Sequence, residues 1–515
     1  MSEVPPAELR PICDPNSFDF ETTADVEPHV GLIGQARATE AIKFGLAMDS
    51  VGFNICVSGE PGTGRSTAIR EYLEAYAGAK SPPDEWVYVN NFVEPHRPRA
   101  IQLPRGKAAA FRGAMTAMVA EAKERIPSTF TSDDYVNRRD EIVDSVRRHH
   151  EAVFSRLAEQ ARQSGFLLQG NAGGYFLVPL AGDRPMDDQA FAALGEEERQ
   201  AIAARRDALM DELRAVMKQE QGYDLEASRR IAELENTVAT IVVDSLLDRV
   251  QTEYQPFTEV VQYLNEVRRD MIENINAFMP RPPQQGVPPM PANREVVSPL
   301  RKYEVNLLVD CSTETCATVI YETNPAPQRI FGYIEKEAIF GAVTTDFTMI
   351  RPGSLHRANG GYFVIDFDQL LLYPLSWNEL KRTIRTGQLT IEEMSDRVGF
   401  IETKTIRPEP IPWSGKIIGI ARDQVYRFLY TNDPDFRELF KVKADFDLHI
   451  PRTHEHELQY AGLIAAITKR ENLLPLDRGA VARVIEHGAR LAEDHHKLSI
   501  RFGDVSDVVR EAVHW

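Results

Sequence analysis

Apolar positions along the chain keep two different rhythms, and the change from one to the other divides it. Gly31-Leu32-Ile33-Gly34-Gln35 leads into a helical spacing over 36–48. The short apolar run Phe53-Asn54-Ile55-Cys56-Val57 predicts a buried strand; a glycine-rich loop follows, then a helix from Thr67 to about Ala77. Trp86-Val87-Tyr88-Val89 predicts a second strand that continues the α/β pattern. From 107 to 279 the spacing changes to threes, fours and sevens, the mark of long amphipathic helices. Ile142, Val146, Val153 and Leu157 form one stripe, and Leu209, Leu213 and Val216 a second. Ile231, Leu234, Val238 and Ile241 form a third, and Val260, Leu264, Val267, Met271 and Ile275 a fourth. Between the first two, apolar runs at 166–168 and 175–178 flank Gly170-Asn171-Ala172-Gly173-Gly174, the pattern of a β-hairpin at or near the tip of a helical arm. A proline-rich linker occupies 280–293.

Beyond the linker the α/β rhythm resumes. Strands are predicted over 303–309, 318–322, 362–366, 416–420 and 442–450, and helices from Glu455 onward. The expected layout is a core begun in 1–106, a helical insertion over 107–293, the rest of the core over 294–452 and a helical lid over 453–515. Residues 1–30 are polar and proline-containing and are expected to wrap a surface.

Composition is that of an ordinary globular protein, and 515 residues suffice for several cores. The formal charge of -18 argues against broad binding to nucleic acid or anionic membranes. Cys13, Cys56, Cys311 and Cys316 have no companion ligands at zinc-site spacing and read as reduced structural thiols. No run approaches 18 apolar residues and the N-terminus lacks an apolar signal core. A cytoplasmic protein without membrane or nucleic-acid partners is expected.

The chemistry is concentrated at two motifs. Gly59-Glu60-Pro61-Gly62-Thr63-Gly64-Arg65-Ser66, between a strand and a helix, has the spacing of a phosphate-binding loop. Backbone N–H groups and the helix dipole would cradle phosphates, and Ser66 stands where a hydroxyl ligand of Mg²⁺ belongs. Arg65 departs from the usual Lys: it keeps the charge but is planar and bulkier. The second motif is the apolar strand 362–365 ending in Asp366, the metal-side carboxylate of such sites. The next residue, normally the Glu that polarises water, is Phe367, which does no acid–base work. Asp368, two residues on, is either the substitute for that Glu or a side chain that points elsewhere. After the strand 416–420, Arg422 and Asp423 are either γ-phosphate sensors or a surface turn. Arg437 and Lys441 are either a finger for a neighbouring subunit's site or a solvated helix face. Arg501 is a candidate second sensor.

With these residues in place, the chain resembles the AAA+ part of Lon-like proteases, in the B/C-type branch that carries a large helical insertion after the phosphate loop. The resemblance runs through the loop GEPGTGRS, YVNNFVEPHRPRAIQLPRG at 88–106, ETNPAPQRIFGYIE at 322–335 and TTDFTMIRPGSLHRANGGYFVID at 344–366. It continues through WNELKRTIRTGQLTIEE at 377–393, NDPDFRELFKVKADFD at 432–447 and KLSIRFGDVSDVVREA at 497–512. It implies an α/β AAA+ core with a parallel sheet, a coiled-coil-like insertion bearing a hairpin, and a C-terminal helical lid. It also implies ATP or ADP with Mg²⁺ as ligands, a homo-oligomeric ring, usually a hexamer, and unfolded polypeptide as substrate. A Ser–Lys peptidase domain follows the lid in the family; this sequence stops at Trp515, about where that domain would begin, and truncation is expected rather than loss. Phe331, Tyr333 and Phe347 are candidates for an aromatic that grips substrate in a pore, or for core packing. Some members no longer use ATP, and Arg65 and Phe367 lean that way. Three readings follow: a gating module with weak or lost hydrolysis, an ATP-driven unfoldase, and a non-catalytic scaffold that docks partners through its arm.

Overall fold

A computed structural model describes residues 10–29, 31–171, 174–182, 184–187, 191, 194–280, 298–339, 342–392 and 406–514. The chain divides into two compact units, 1–113 with 304–515, and 114–303.

In the first unit, α1 (Ala36–Ala47) precedes β1 (Ile55–Ser58), and α2 (Arg65–Gly78) follows it. The next strands are β2 (Glu85–Val89), β3 (Arg99–Leu103), β4 (Val305–Val309), β5 (Val319–Glu322), β6 (Tyr362–Asp366) and β7 (Lys416–Ala421). α3 (Asp423–Asn432) and β8 (Val442–Asp445) complete the core. One five-stranded sheet has the order β8-β1-β7-β6-β5, and each of its strand pairs is parallel. A parallel sheet is covered on both faces, which is why β1 is buried at every position. The period of two assigns its side chains to two cores. Ile55, Val57, Tyr362 and Val364 pack with Ile42, Ile69 and Leu73 of α1 and α2. Cys56, Phe363, Ile365 and Phe367 enter the opposite core with Trp377, Phe436 and Phe440.

Trp86–Val89 does not continue that sheet. β2 pairs antiparallel with β3 and β4 in a separate three-stranded sheet. Glu85, fully buried, fixes the pairing: it accepts from the N–H groups of Ala108 and Cys311 and ties the strand to chain segments from both sides of the insertion. The expected single strand over 442–450 is two, β8 and His449–Pro451. The break falls where Asp447 exchanges two hydrogen bonds with Gln35: its N–H donates to Oε1 and its carbonyl accepts from Nε2, each at 3.0 Å.

The lid is α4 (His454–Arg470), α5 (Arg478–Leu491) and α6 (Phe502–His514), with His449–Pro451 paired to Lys497–Ser499. Residues 10–29 belong to it. Cys13 and Phe18 lie in its core, the buried carboxylate of Glu486 accepts from Arg10 and from the Cys13 N–H, and His29 N–H donates to Gly462.

The second unit is built from helices over Lys107–Phe130 (which begins in the first unit), Asp133–Gln163, Glu196–Tyr254 and Thr258–Glu273. The third of these has 59 residues, about 90 Å at the α-helical rise. Phe166–Asn171 and Gly174–Ala181 pair antiparallel as the expected hairpin. The fourth stripe is buried throughout. The third is not: Ile241 is 65% exposed, and the seam runs instead through Ala239, Val242, Leu246 and Val250. At 3.6 residues per turn a stripe drifts around a long helix, so its face shifts after Val238. The proline-rich stretch lies outside the described residues beyond 280. Among the described residues no helix is long and apolar enough to cross a membrane.

Candidate functional site

The carboxyl ends of β1, β7 and β6 lie level, with Ser58 beside Ala421 and Ile420 beside Asp366. Ligands of open parallel sheets sit at this edge. The chain leaves β1 through Gly59, Gly62 and Gly64, at φ of 151°, 85° and 85°. A Cβ at Gly59 would come within 2.8 Å of Phe446, and one at Gly64 within 2.9 Å of Leu32. The loop therefore needs glycine for both conformation and space. Thr63 is buried and its hydroxyl donates to the Glu60 carbonyl at 2.8 Å, closing the turn. Ser58 donates to Asp445 at 2.8 Å. Burial alone would raise the Asp445 carboxyl, but bonds from Lys443 and Ser58 outweigh it and hold it below its ordinary value.

A cleft of about 470 Å³ opens over the loop, within the size range of small-molecule sites. The loop and α2 contribute Pro61, Gly62, Gly64, Arg65, Ser66 and Thr67; the strap Gly31-Leu32-Ile33 and the lid residues Leu463, Ile467, Arg470, Phe502, Gly503 and Ser506 close the other sides. Gly503 faces Gly62 closely: a Cβ added at Gly503 would lie 3.7 Å from the Gly62 Cα. The sequence pattern identified the loop. It missed the strap and the lid contribution, which depend on how the lid folds back.

Arg65 does not extend along the loop. Its Nη1 donates to the Ala421 carbonyl at 2.5 Å, across the end of β7. Burial pulls its guanidinium below the ordinary value, and Asp366, Asp368 and Glu60 oppose that shift. Asp366 caps the short helix Phe367–Leu370 by accepting from the Gln369 N–H at 3.2 Å. Asp368 is committed elsewhere: Arg422 Nε donates to its Oδ1 at 3.0 Å and the Arg422 N–H to its Oδ2 at 3.2 Å. Asp423 pairs with Arg427 at 2.7 Å and with Lys443 at 3.6 Å. Phe367 is fully buried. Its ring centroid lies 5.1 Å from Phe440, 5.5 Å from Trp377 and 6.0 Å from Phe436. A Cβ at Gly419 would strike that ring at 2.1 Å. Phe367 thus continues the inward face of Phe363 and Ile365, and nothing at its position reaches the cleft.

The remaining candidates do not converge on the cleft within this chain. Arg437 lies over the Tyr430 ring at 5.3 Å. Lys441 lies over Phe53 at 5.1 Å and its N–H donates to Gly52, beside the start of β1 and away from the glycine loop. Arg501 precedes α6, is 46% exposed and faces Asp504 at 4.0 Å. Arg470 lines the cleft in its place, bonded to Glu471, whose carboxyl Arg510 and Arg470 hold down to about 2. Of the three aromatic pore candidates, Phe331 and Phe347 are buried and Tyr333 is 42% exposed. Among the described residues no group of three or more His, Cys, Asp or Glu is placed to hold a metal ion.

The residues fit a nucleotide unevenly. Loop glycines, an exposed Ser66 and the N-terminus of α2 suit phosphate oxygens. No carboxylate among Asp366 to Asp368 is both free and aimed to activate water. Family models match three stretches of the chain: a LonB-like AAA domain over 315–447, an archaeal LonB AAA+ ATPase LID domain over 475–515, and a Lon-like LonC helical domain over 85–118. The first spans β5 through β8 with both Asp366 and Arg422, the second covers α5 and α6, and the third ends within the first helix of the insertion. No curated protein matches the chain. Sheet order, glycine loop, lid and these three matches agree, and the chain carries a Lon-like AAA+ module.

Proposed function

We propose that this module forms the ring of a Lon-like serine protease, gating and delivering unfolded polypeptide to a C-terminal Ser–Lys peptidase domain, with nucleotide hydrolysis weak or lost. The observation that carries the reading is Phe367, locked among Trp377, Phe436 and Phe440 where a water-polarising Glu would stand. Nucleotide, if bound, would lie with its phosphates on Gly62, Gly64 and Ser66, and Mg²⁺ would be held by Ser66 and, through water, Asp366. Nucleotide, when bound, would supply negative charge in the cleft, whose lid side is lined by Arg470 and the N-terminus of α6. A hexamer would bring Arg437 or Lys441 of one copy to the site of the next.

The ATP-driven alternative needs Asp368 to orient water, and Arg422 occupies both of its oxygens. Titration of the chain with ADP and ATP in Mg²⁺ should be paired with an ATPase assay in the presence of unfolded casein. Weak or saturable binding with a negligible rate is expected. A robust, casein-stimulated rate abolished by Asp366→Ala would overturn the reading.

A further inference from the structure

The lid faces the glycine loop across the cleft, and one of its cations there sits on a contact it can give up. Arg470, the last residue of α4, lines the cleft together with Ser66 and Thr67 of α2. Its side chain is 71% exposed, and among the described residues its one bond is from Nη2 to Glu471 Oε1, at 3.0 Å. Glu471 does not depend on that bond. Arg510 of α6 donates to the same oxygen and to Oε2, each at 2.8 Å. A bidentate guanidinium–carboxylate pair is the strong form of this contact, so Glu471 stays satisfied when Arg470 leaves.

A cation in the last turn of a helix also offsets the helix dipole. Lys469 supplies that charge one residue earlier, so the dipole accounts for a cation near this point and not for its place in the cleft wall. Arg501 has different surroundings. It stands outside the residues that line the cleft and faces Asp504 at 4.0 Å. Its charge acts instead on His449, which burial first, then Lys497 and Arg501, hold below the ordinary imidazole value.

We propose that Arg470, rather than Arg501, is the lid's phosphate-binding residue: it moves from Glu471 to the phosphates of a nucleoside di- or triphosphate held on Gly62, Gly64 and Ser66, and so ties lid to loop. The assignment rests on reading the cleft as a nucleotide site. Arg470 exchanges one charge-assisted bond for another, and Glu471 keeps Arg510 throughout. The start of α6 adds to the attraction from the same side. Phe502 and Gly503 line the cleft, and the Gly503 nitrogen lies 3.8 Å from where a Cβ at Gly62 would stand.

The test is calorimetric titration of the full chain with ADP in Mg²⁺. Arg470→Gln is expected to weaken ADP binding about tenfold, Arg470→Lys to recover most of the loss, and Arg501→Gln to stay within about twofold of the unsubstituted chain. Because the Arg470 side chain is mostly exposed, its variants should melt with the unsubstituted chain. Glu471→Gln loosens the bond that holds Arg470 back and should tighten ADP binding about threefold, a gain that should vanish when Arg470→Gln is added. Equal affinity of Arg470→Gln and the unsubstituted chain, or an equal loss in Arg501→Gln, overturns the assignment and leaves the cleft a nucleotide site. A gain in Glu471→Gln that survives the second substitution overturns the exchange. An unsubstituted chain that binds neither ADP nor ATP overturns the assignment together with the nucleotide reading of the cleft, while the gating proposal, carried by Phe367, stands apart from that result.

Discussion

On one side of the cleft the glycine loop has kept what backbone can do for a phosphate. Gly59, Gly62 and Gly64 sit at positive φ, Thr63 closes the turn, and α2 begins at the loop's end. Across β7, at the level carboxyl end of β6, the side chains serve the protein itself. Asp366 caps a helix, Phe367 fills a core, Asp368 holds Arg422, and Arg65 crosses from the loop to bond Ala421. Binding geometry depends on conformation, which the backbone carries; hydrolysis depends on a few free, aimed side chains. The two need not change together, and the function proposed above rests on that difference.

The sharpest attempt to undo that difference is Phe367→Glu. It restores the residue type expected of a working site but places a carboxyl among Trp377, Phe436 and Phe440, against Gly419. Lost aromatic packing and burial of an acid should cost about 4 kcal/mol or more, read by urea unfolding, with no gain of ATPase. A stable variant that hydrolyses ATP would break the comparison. A somewhat smaller effect belongs to the helix before β6. His356 is fully buried, with its Nδ1 accepting from the Gly353 N–H, and burial pushes its pKa down to about 4. The folded state thus binds fewer protons than the unfolded one between about pH 6.5 and 4, and stability falls as pH falls through that window. Over the window this amounts to about 3 kcal/mol, and His356→Gln should flatten the slope of unfolding free energy against pH by about one proton.

How far the site could be seen in advance follows the same division. The loop was legible because its glycines are required by backbone conformation, a local property that spacing records. The parallel strands of the core were legible as apolar runs, but the partner of Trp86–Val89 was not. Its sheet is fixed by Glu85 reaching Ala108 and Cys311, contacts between residues far apart in sequence. Phe367 was visible as a missing Glu, yet its role in the aromatic core was not, because Phe436 and Phe440 arrive from beyond β7. The two readings of Asp368 stayed open because nothing in sequence placed Arg422 beside it. Arg470 and Gly503 entered the cleft through lid packing, which no local pattern encodes.

Arg65→Lys probes the residue that joins the two sides. Lys gives a compact charge to the loop and should release the Ala421 carbonyl, at a cost of about 1 kcal/mol for one hydrogen bond. The expected gain is about tenfold in ADP affinity by calorimetry, about 1.4 kcal/mol, without appreciable turnover. Unchanged affinity would mean that the bond to Ala421 does not hold Arg65 away from phosphate.

Asp368→Asn should have the smallest effect and separates the readings most cleanly. The Asp368 carboxylate is 16% exposed and its partner guanidinium 52%, so solvent screens the pair and its loss should lower stability only slightly. The Asn oxygen can still accept the Arg422 N–H, which preserves the local turn. If Asp368 is only Arg422's anchor, the variant melts slightly lower and any residual ATPase stays the same. If Asp368 orients water, that residual rate disappears while stability barely moves, because catalysis depends on the lost charge in a way that a solvent-screened ion pair does not.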